Sequence, residues 1–312
     1  MCGIIIGKMN YFERARYFRT KKRLGQNFLI DGQVISDIID YADIKPDDTV
    51  VEIGPGVGFV TEQLVKHAKH VFAIELDEEA VKELEKIDAS NLTIIHKDIL
   101  KTDLSKLCNE KIKIVANIPY YITSPIIAHL LGEIDDLNNR NRNKIKDIIL
   151  MVQQEVAQRM TADENSPSKQ YGLLTILSQF WADVEILRLV GRKAFYPAPK
   201  VNSALVKLTV REKPLLDLTD YTHFRKTVKA GFAQRRKTLK NCLLSAGFSK
   251  ENILNAFSKL GLDENIRGEK LSIEMFGKLS EELKGTTSIT KSNISALLSS
   301  DETFPLPRGE GK

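Results

Sequence analysis

The run Thr49-Val50-Val51-Glu52-Ile53, followed at once by Gly54-Pro55-Gly56-Val57-Gly58, limits the fold more than any other part of the 312 residues. The first five are apolar or β-branched apart from one acid, the make-up of a buried strand. The next five place glycine at alternate positions, a turn in which backbone can approach a ligand closely, and residues 59–68 continue in a helical pattern. The unit then recurs. Residues 71–75 read as a strand and 78–86 as a Glu- and Lys-rich helix; 92–96 read as a third strand, closed by Asp98. Residues 112–116 lead into Asn117-Ile118-Pro119-Tyr120 and a helix over 125–131, and 145–152 read as a fifth strand. This alternation predicts an α/β fold, a Rossmann-like domain with a mainly parallel sheet whose ligand edge is the row of carboxyl ends of the strands. Gly54, Glu75, Asp98 and Asn117 stand at four such ends, so four strands point at one crevice.

Past residue 160 the pattern changes. Residues 162–170 read as a loop, 173–181 as a helix, 184–190 as an alternating strand and 203–210 as a closing strand. Between the strands lies a proline-fixed loop, Ala194-Phe195-Tyr196-Pro197-Ala198-Pro199-Lys200-Val201. After Pro214 the strand signal stops, and residues 221–283 carry helical patterns divided by Gly247 and Gly261. The expected organisation is a basic N-terminal arm over 1–23, the α/β domain over 24–212, a small α-helical domain over 213–285 and a disordered tail over 286–312.

Charge follows the same division. Residues 1–31 carry 7 Lys and Arg against 2 acids and residues 211–285 carry 15 against 10, whereas 32–210 carry 21 against 26. Basic ends around an acidic middle suit a polyanionic partner. Cys2, Cys108 and Cys242 lack metal-ligand spacing, so neither a metal site nor a disulfide framework is expected. No apolar run is long enough to span a bilayer or to serve as a secretory signal, which makes cytoplasm the expected location. Met1-Cys2-Gly3-Ile4-Ile5-Ile6-Gly7 resembles the start of amidotransferases with an N-terminal cysteine nucleophile, but nothing after Gly7 continues that likeness.

The glycine turn alone separates neither dinucleotide enzymes from methyltransferases, although Gly58 comes one residue early for the dinucleotide spacing. Glu75, 21 positions after Gly54, is placed to accept both ribose hydroxyls of an adenosine. Asp98, followed by apolar Ile99 and Leu100, suits an adenine amino group beside an apolar wall. With Asn117-Ile118-Pro119-Tyr120 completing the edge, S-adenosylmethionine fits better than a nicotinamide cofactor.

Five blocks occur in order: Leu24-Gly25-Gln26-Asn27-Phe28-Leu29, Val51-Glu52-Ile53-Gly54-Pro55-Gly56, Asn117-Ile118-Pro119-Tyr120, the 194–201 loop and Gln234-Arg235-Arg236-Lys237-Thr238. Together they resemble the ribosomal RNA adenine dimethyltransferase family. The resemblance implies that Asn27 and Leu29 close over S-adenosylmethionine and that Gly54 meets its methionine end. It also implies that Glu75 binds the ribose, that Asp98 binds the adenine, and that Asn117 lies between cofactor and target base. Acceptance of both N6 hydrogens by the Asn117 oxygen and the Ile118 or Pro119 carbonyl would free the nitrogen lone pair, with no general base. Pro119 brings no donor N–H into that acceptor site. Tyr120 and Phe195 would sandwich the base once it is extruded from its RNA. Arg235, Arg236 and Lys237 would contact phosphate.

The last block resembles the small-subunit enzymes more than the antibiotic-resistance methyltransferases of the large subunit. The implied substrate is two adjacent adenosines in a hairpin loop near the 3′ end of small-subunit rRNA, met within a pre-ribosomal small subunit by a monomeric protein. A large-subunit methyltransferase, or an RNA-binding assembly factor without catalysis, is the alternative on the same fold.

Overall fold

The apolar, β-branched runs become strands in the computed structural model, which describes residues 10–18, 21, 25–118 and 122–284. In chain order the elements are α1 (Tyr11–Tyr17), β1 (Phe28–Leu29), α2 (Gly32–Ala42), β2 (Thr49–Ile53), α3 (Thr61–His67), β3 (His70–Glu75), α4 (Glu78–Leu84), β4 (Leu92–His96), β5 (Ile112–Asn117) and α5 (Thr123–Leu131). They continue with β6 (Ile145–Gln153), α6 (Gln154–Met160), α7 (Leu173–Trp181), β7 (Ala182–Val190), β8 (Phe195–Tyr196), β9 (Ser203–Val210), α8 (Tyr221–Phe232), α9 (Leu239–Ser245), α10 (Lys250–Leu260) and α11 (Ile273–Leu283).

Seven strands form one sheet in the order β4-β3-β2-β5-β6-β9-β7. From β4 to β6 every neighbour is parallel, and β9 runs antiparallel to both β6 and β7. The mainly parallel α/β fold expected from the alternation is therefore present. The chain order reverses between β2 and β5, the switch point at which ligands of such sheets bind. Register puts Ile53 beside Ala116 and Ile74, so the turn after β2 lies between the ends of β3 and β5.

The chain divides into two compact units. The first holds residues up to Gly132, Asn138–Thr161 and Ala182–Glu212; the second holds Glu133–Leu137, Ala162–Trp181 and Lys213 onward. The division therefore departs from a single cut at residue 212, because 162–181 group with the helices. Phe180 packs against Phe224 at 5.4 Å and Tyr221 at 6.2 Å between ring centroids, and the Trp181 indole donates to the Glu133 carbonyl at 3.2 Å. Aromatic burial of this kind, rather than chain order, sets the boundary.

The start of the chain also differs from expectation. The described part of the basic arm forms α1, closed by a reciprocal cap between Asn10 and Glu13. Tyr11 lies 4.8 Å from the Phe59 ring, Arg14 stacks over that ring, and its guanidinium pairs with Glu62 at 2.6 Å. Arg14 is thus occupied inside the first unit, whereas Arg16 and Tyr17 are exposed. Residues 1–9, Pro119, Tyr120 and the 285–312 tail lie outside the described residues. Among the described residues no helix is long and apolar enough to cross a membrane, and no cluster of His, Cys, Asp or Glu could hold a metal ion.

Candidate functional site

The ends of β2, β3, β4 and β5 surround one cleft of about 1050 Å³, counting the part open to solvent. Gly54, Glu75, Asp98 and Asn117 all line it, together with Asn27, Leu29 and Ile118. The structure therefore brings together the six residues expected at the cofactor.

The turn after β2 needs its glycines for two reasons. Gly54, Gly56 and Gly58 have φ of +68°, +57° and +86°, which costs a residue with a Cβ about 1–2 kcal/mol. At Gly56 space is missing as well, since a Cβ would sit 2.8 Å from the Phe28 ring. The turn presents its backbone to the cleft, and the Gly56 N–H donates to Oε2 of Glu75 at 2.9 Å.

Glu75 is 7 % exposed, and its Oε1 accepts from the N–H groups of Leu76 and Asp77, both at 2.8 Å. Burial pushes its pKa above the ordinary carboxylate value, against the pull of these backbone donors. A carboxylate offers about four acceptor sites. Three are used by the backbone, which fixes the group and leaves acceptor capacity for a ligand hydroxyl. Asp98 caps the short turn Ile99–Lys101 through Oδ1, 3.0 Å from the Leu100 N–H, and Ile99 beside it is buried.

Asn117 ends β5. Its amide Nδ2 donates to the Asn27 carbonyl at 3.2 Å, which leaves Oδ1 as the acceptor. Asn27 is itself held by its side-chain donation to the Gly25 carbonyl at 3.0 Å. The cleft thus offers a hydroxyl acceptor, an acid beside an apolar wall, close backbone and an oriented amide oxygen. This donor set fits an adenosine-bearing cofactor with an amine-bearing partner.

Across residues 17–285 the chain matches the family described as ribosomal RNA adenine dimethylase. The chain belongs to that family. One relative, the ribosomal RNA small subunit methyltransferase A of Clostridium botulinum (strain Kyoto / Type A2), is 45 % identical over 268 residues, covering 85 % of this chain and 94 % of its own. The protein of the same name from Bacillus cereus (strain B4264) is 42 % identical over 278 residues, covering 85 % and 92 %. Among solved structures, a dimethyladenosine transferase from Plasmodium falciparum superposes with a TM-score of 0.68 at 29 % identity, covering 81 % of this chain and 96 % of its own. The 23S rRNA methyltransferase ErmE does so with a TM-score of 0.63 at 27 % identity, covering 83 % and 100 %.

Two groups of expected site residues lie elsewhere in this dimethylase. Phe195 is 2 % exposed, pairs with Leu29 between β8 and β1, and belongs to the core rather than to the cleft lining. Through that pairing it braces β1, which carries Leu29 at the cleft. Arg235, Arg236 and Lys237 lie in the second unit, exposed in the turn between α8 and α9. Arg235 is 3.9 Å from Glu269; among the described residues no acid pairs with Arg236 or Lys237. Of the other basic residues there, Arg225 is bound to Glu133 and Asp135, and Lys240 to Glu264.

Sequence reasoning missed Glu52, the one acid inside β2 and a further cleft residue. It is 3 % exposed, 2.6 Å from the Thr61 hydroxyl, and burial, then the nearby Glu75, pushes its pKa up to about 8 although Thr61 opposes this. Glu52 is therefore protonated at neutral pH. Its folded pKa lies above the unfolded one, so its contribution to stability is complete below the unfolded value, near 4.5, and is lost as pH rises through about 8. Melting temperature should fall between pH 6 and pH 9, and Glu52→Gln, which keeps the shape without titrating, should flatten that fall. Scanning calorimetry across this range decides the matter, and an unchanged slope in the variant would refute the assignment.

Proposed function

We propose that the protein is an S-adenosylmethionine-dependent methyltransferase that dimethylates N6 of two adjacent adenosines in a hairpin loop near the 3′ end of small-subunit rRNA. It acts as a monomer on a pre-ribosomal small subunit in the cytoplasm. The observation that carries the reading is the convergence of Gly54, Glu75, Asp98 and Asn117 on one cleft, with the Asn117 oxygen left free by the Asn27 carbonyl. The relatives named small subunit methyltransferase A support the choice of subunit.

In this reading Glu75 holds the ribose hydroxyls, Asp98 receives the adenine amino group against Ile99, and Asn27, Leu29 and the Gly54 backbone enclose the rest of the cofactor. When bound, S-adenosylmethionine supplies an electrophilic methyl group on a positively charged sulfur. The protein's part is to prepare the nucleophile. N6 of adenine is a poor one because its lone pair is delocalised into the ring. The Asn117 oxygen and a carbonyl of the same motif accept its two hydrogens and favour a pyramidal nitrogen whose lone pair is free. Positive charge grows on that nitrogen during attack, so fixed acceptor dipoles stabilise the transition state more than the ground state. Tyr120 supplies the stacking surface for the extruded base, and Pro119 keeps a donor out of the acceptor site.

The direct test is incubation with S-adenosylmethionine and unmethylated small subunits, followed by mass spectrometry for dimethyladenosine, with large-subunit RNA in parallel. Dimethyladenosine in the small-subunit RNA alone is the expected result. Product in large-subunit RNA only, or in neither, would overturn the reading.

Arg235, Arg236 and Lys237 supply phosphate contacts in the second unit. Reversing charge at Arg235 and Arg236 should weaken RNA binding and reduce the slope of log affinity against log salt by about 1–2. Arg236 should account for the larger share, since Glu269 neutralises part of Arg235. Titrations at several salt concentrations test this, and identical slopes would exclude the role.

A further inference from the structure

Asp77 begins α4 two residues after Glu75, and its side chain is fully buried. Capping explains one of its bonds, in which Oδ1 accepts from the Glu79 N–H at 3.1 Å. Two others reach far back along the chain. The Lys21 ammonium lies 2.5 Å from Oδ1, and the Gln26 amide donates to Oδ2 at 2.7 Å. Gln26 is held at its other end too, because its Oε1 accepts from the Lys21 N–H at 2.8 Å.

The next residues continue the pattern. The Asn27 carbonyl accepts from Asn117, and the Phe28 ring lies against Gly56. Gln26, Asn27 and Phe28, all in the cleft wall, are thus fastened to the ends of β3, β5 and β2 in turn. Only the first fastening is ionic. Asp77 also touches the site directly, since its own N–H donates to Glu75. A buried carboxylate that loses its cation is poorly solvated, so this fastening resists opening more than a bond between neutral groups.

We propose that Asp77 is a positioning residue which, through Lys21 and Gln26, latches the Gly25–Phe28 wall across the cleft and thereby sets the residence time of the cofactor. The proposal rests on the S-adenosylmethionine reading above. Release of the cofactor requires this wall to move, and the latch raises the barrier to that movement without touching the reacting atoms.

The test uses the full chain and the off-rate of S-adenosylhomocysteine in stopped-flow displacement. Asp77→Asn keeps a good capping residue while removing the charge, and Lys21→Met removes the cation from the other side. Each should speed release by about tenfold, with a smaller change in kcat. The double variant should release no faster than the quicker single one, because the two residues act as one unit. Lys21→Arg should retain slow release. A purely structural role would lower the melting temperature and leave the off-rate alone. Off-rates within about twofold of the unsubstituted protein, or independent effects in the double variant, would overturn the latch. If the unsubstituted protein binds neither S-adenosylmethionine nor its product, the cofactor reading itself falls, and the latch falls with it.

Discussion

Replacing Asn117 with alanine is expected to slow methyl transfer by about a hundredfold to a thousandfold, the usual effect of removing one fixed dipole from a reacting centre. The fold should survive, because the side chain's bond to the Asn27 carbonyl is worth only about 1 kcal/mol. Cofactor affinity should fall modestly, since Asn27 loses a partner. Asn117→Asp is the sharper variant. It keeps an acceptor oxygen but turns a second oxygen toward the Asn27 carbonyl, where a donor is required. Aspartate should therefore rescue little of the lost activity. Single-turnover rates with unmethylated small subunits measure both variants. Near-normal turnover in Asn117→Ala would remove this residue from the mechanism.

The second large effect is expected at Glu75. Glutamine has nearly the same shape but only one acceptor oxygen, whereas the two carboxylate oxygens of Glu75 face three backbone N–H groups. Whichever way the amide is turned, its NH₂ meets either the Gly56 donor or those of Leu76 and Asp77. An N–H left without an acceptor costs about 1–3 kcal/mol, and the glycine turn shifts with it. Together with the loss of a charged acceptor for ligand hydroxyls, S-adenosylmethionine affinity should drop by roughly a hundredfold. Isothermal titration and a melting curve measure the two consequences. An affinity close to that of the unsubstituted protein would mean that Glu75 shapes the turn and does not hold the ribose.

The parallel strands were readable in the sequence for a physical reason. Strands covered on both faces are apolar at almost every position, so β2, β3 and β5 appear as apolar runs interrupted only by Glu52 and Lys113, and the residue at the carboxyl end of each run lies at the ligand edge. Gly54, Glu75, Asp98 and Asn117 could be placed for that reason without knowing the helices. The burial of Phe195 could not be read in the same way, because a proline-rich loop gives no period from which to judge which ring is covered. Two-residue strands such as β1 and β8 are equally silent. The α1 helix was hidden by its basic composition, although Asn10 and Glu13 carry a capping signal that could have revealed it. Glu52 left a trace too, as a lone acid within an apolar run. The Asp77 fastenings to Lys21 and Gln26 left none, since nothing local distinguishes a buried helix cap from an exposed one.

The place of β9 bears on the order in which the molecule can be assembled as it is synthesised. Every residue of the cleft lies within 25–126, so the binding groups are all present in the first half of the chain. Their support is not. β6 gains its second neighbour only from β9, at 203–210, and β1 gains its partner from β8, at 195–196. Until those segments emerge, β6 is an open edge able to pair with another nascent chain, and β1 lacks its backbone partner. A ribosome stalled before residue 195 would therefore hold a chain with the complete set of cleft residues while β1 and β6 still lacked these partners. Closure spanning more than 160 residues makes the β1–β8 pairing a slow step in folding.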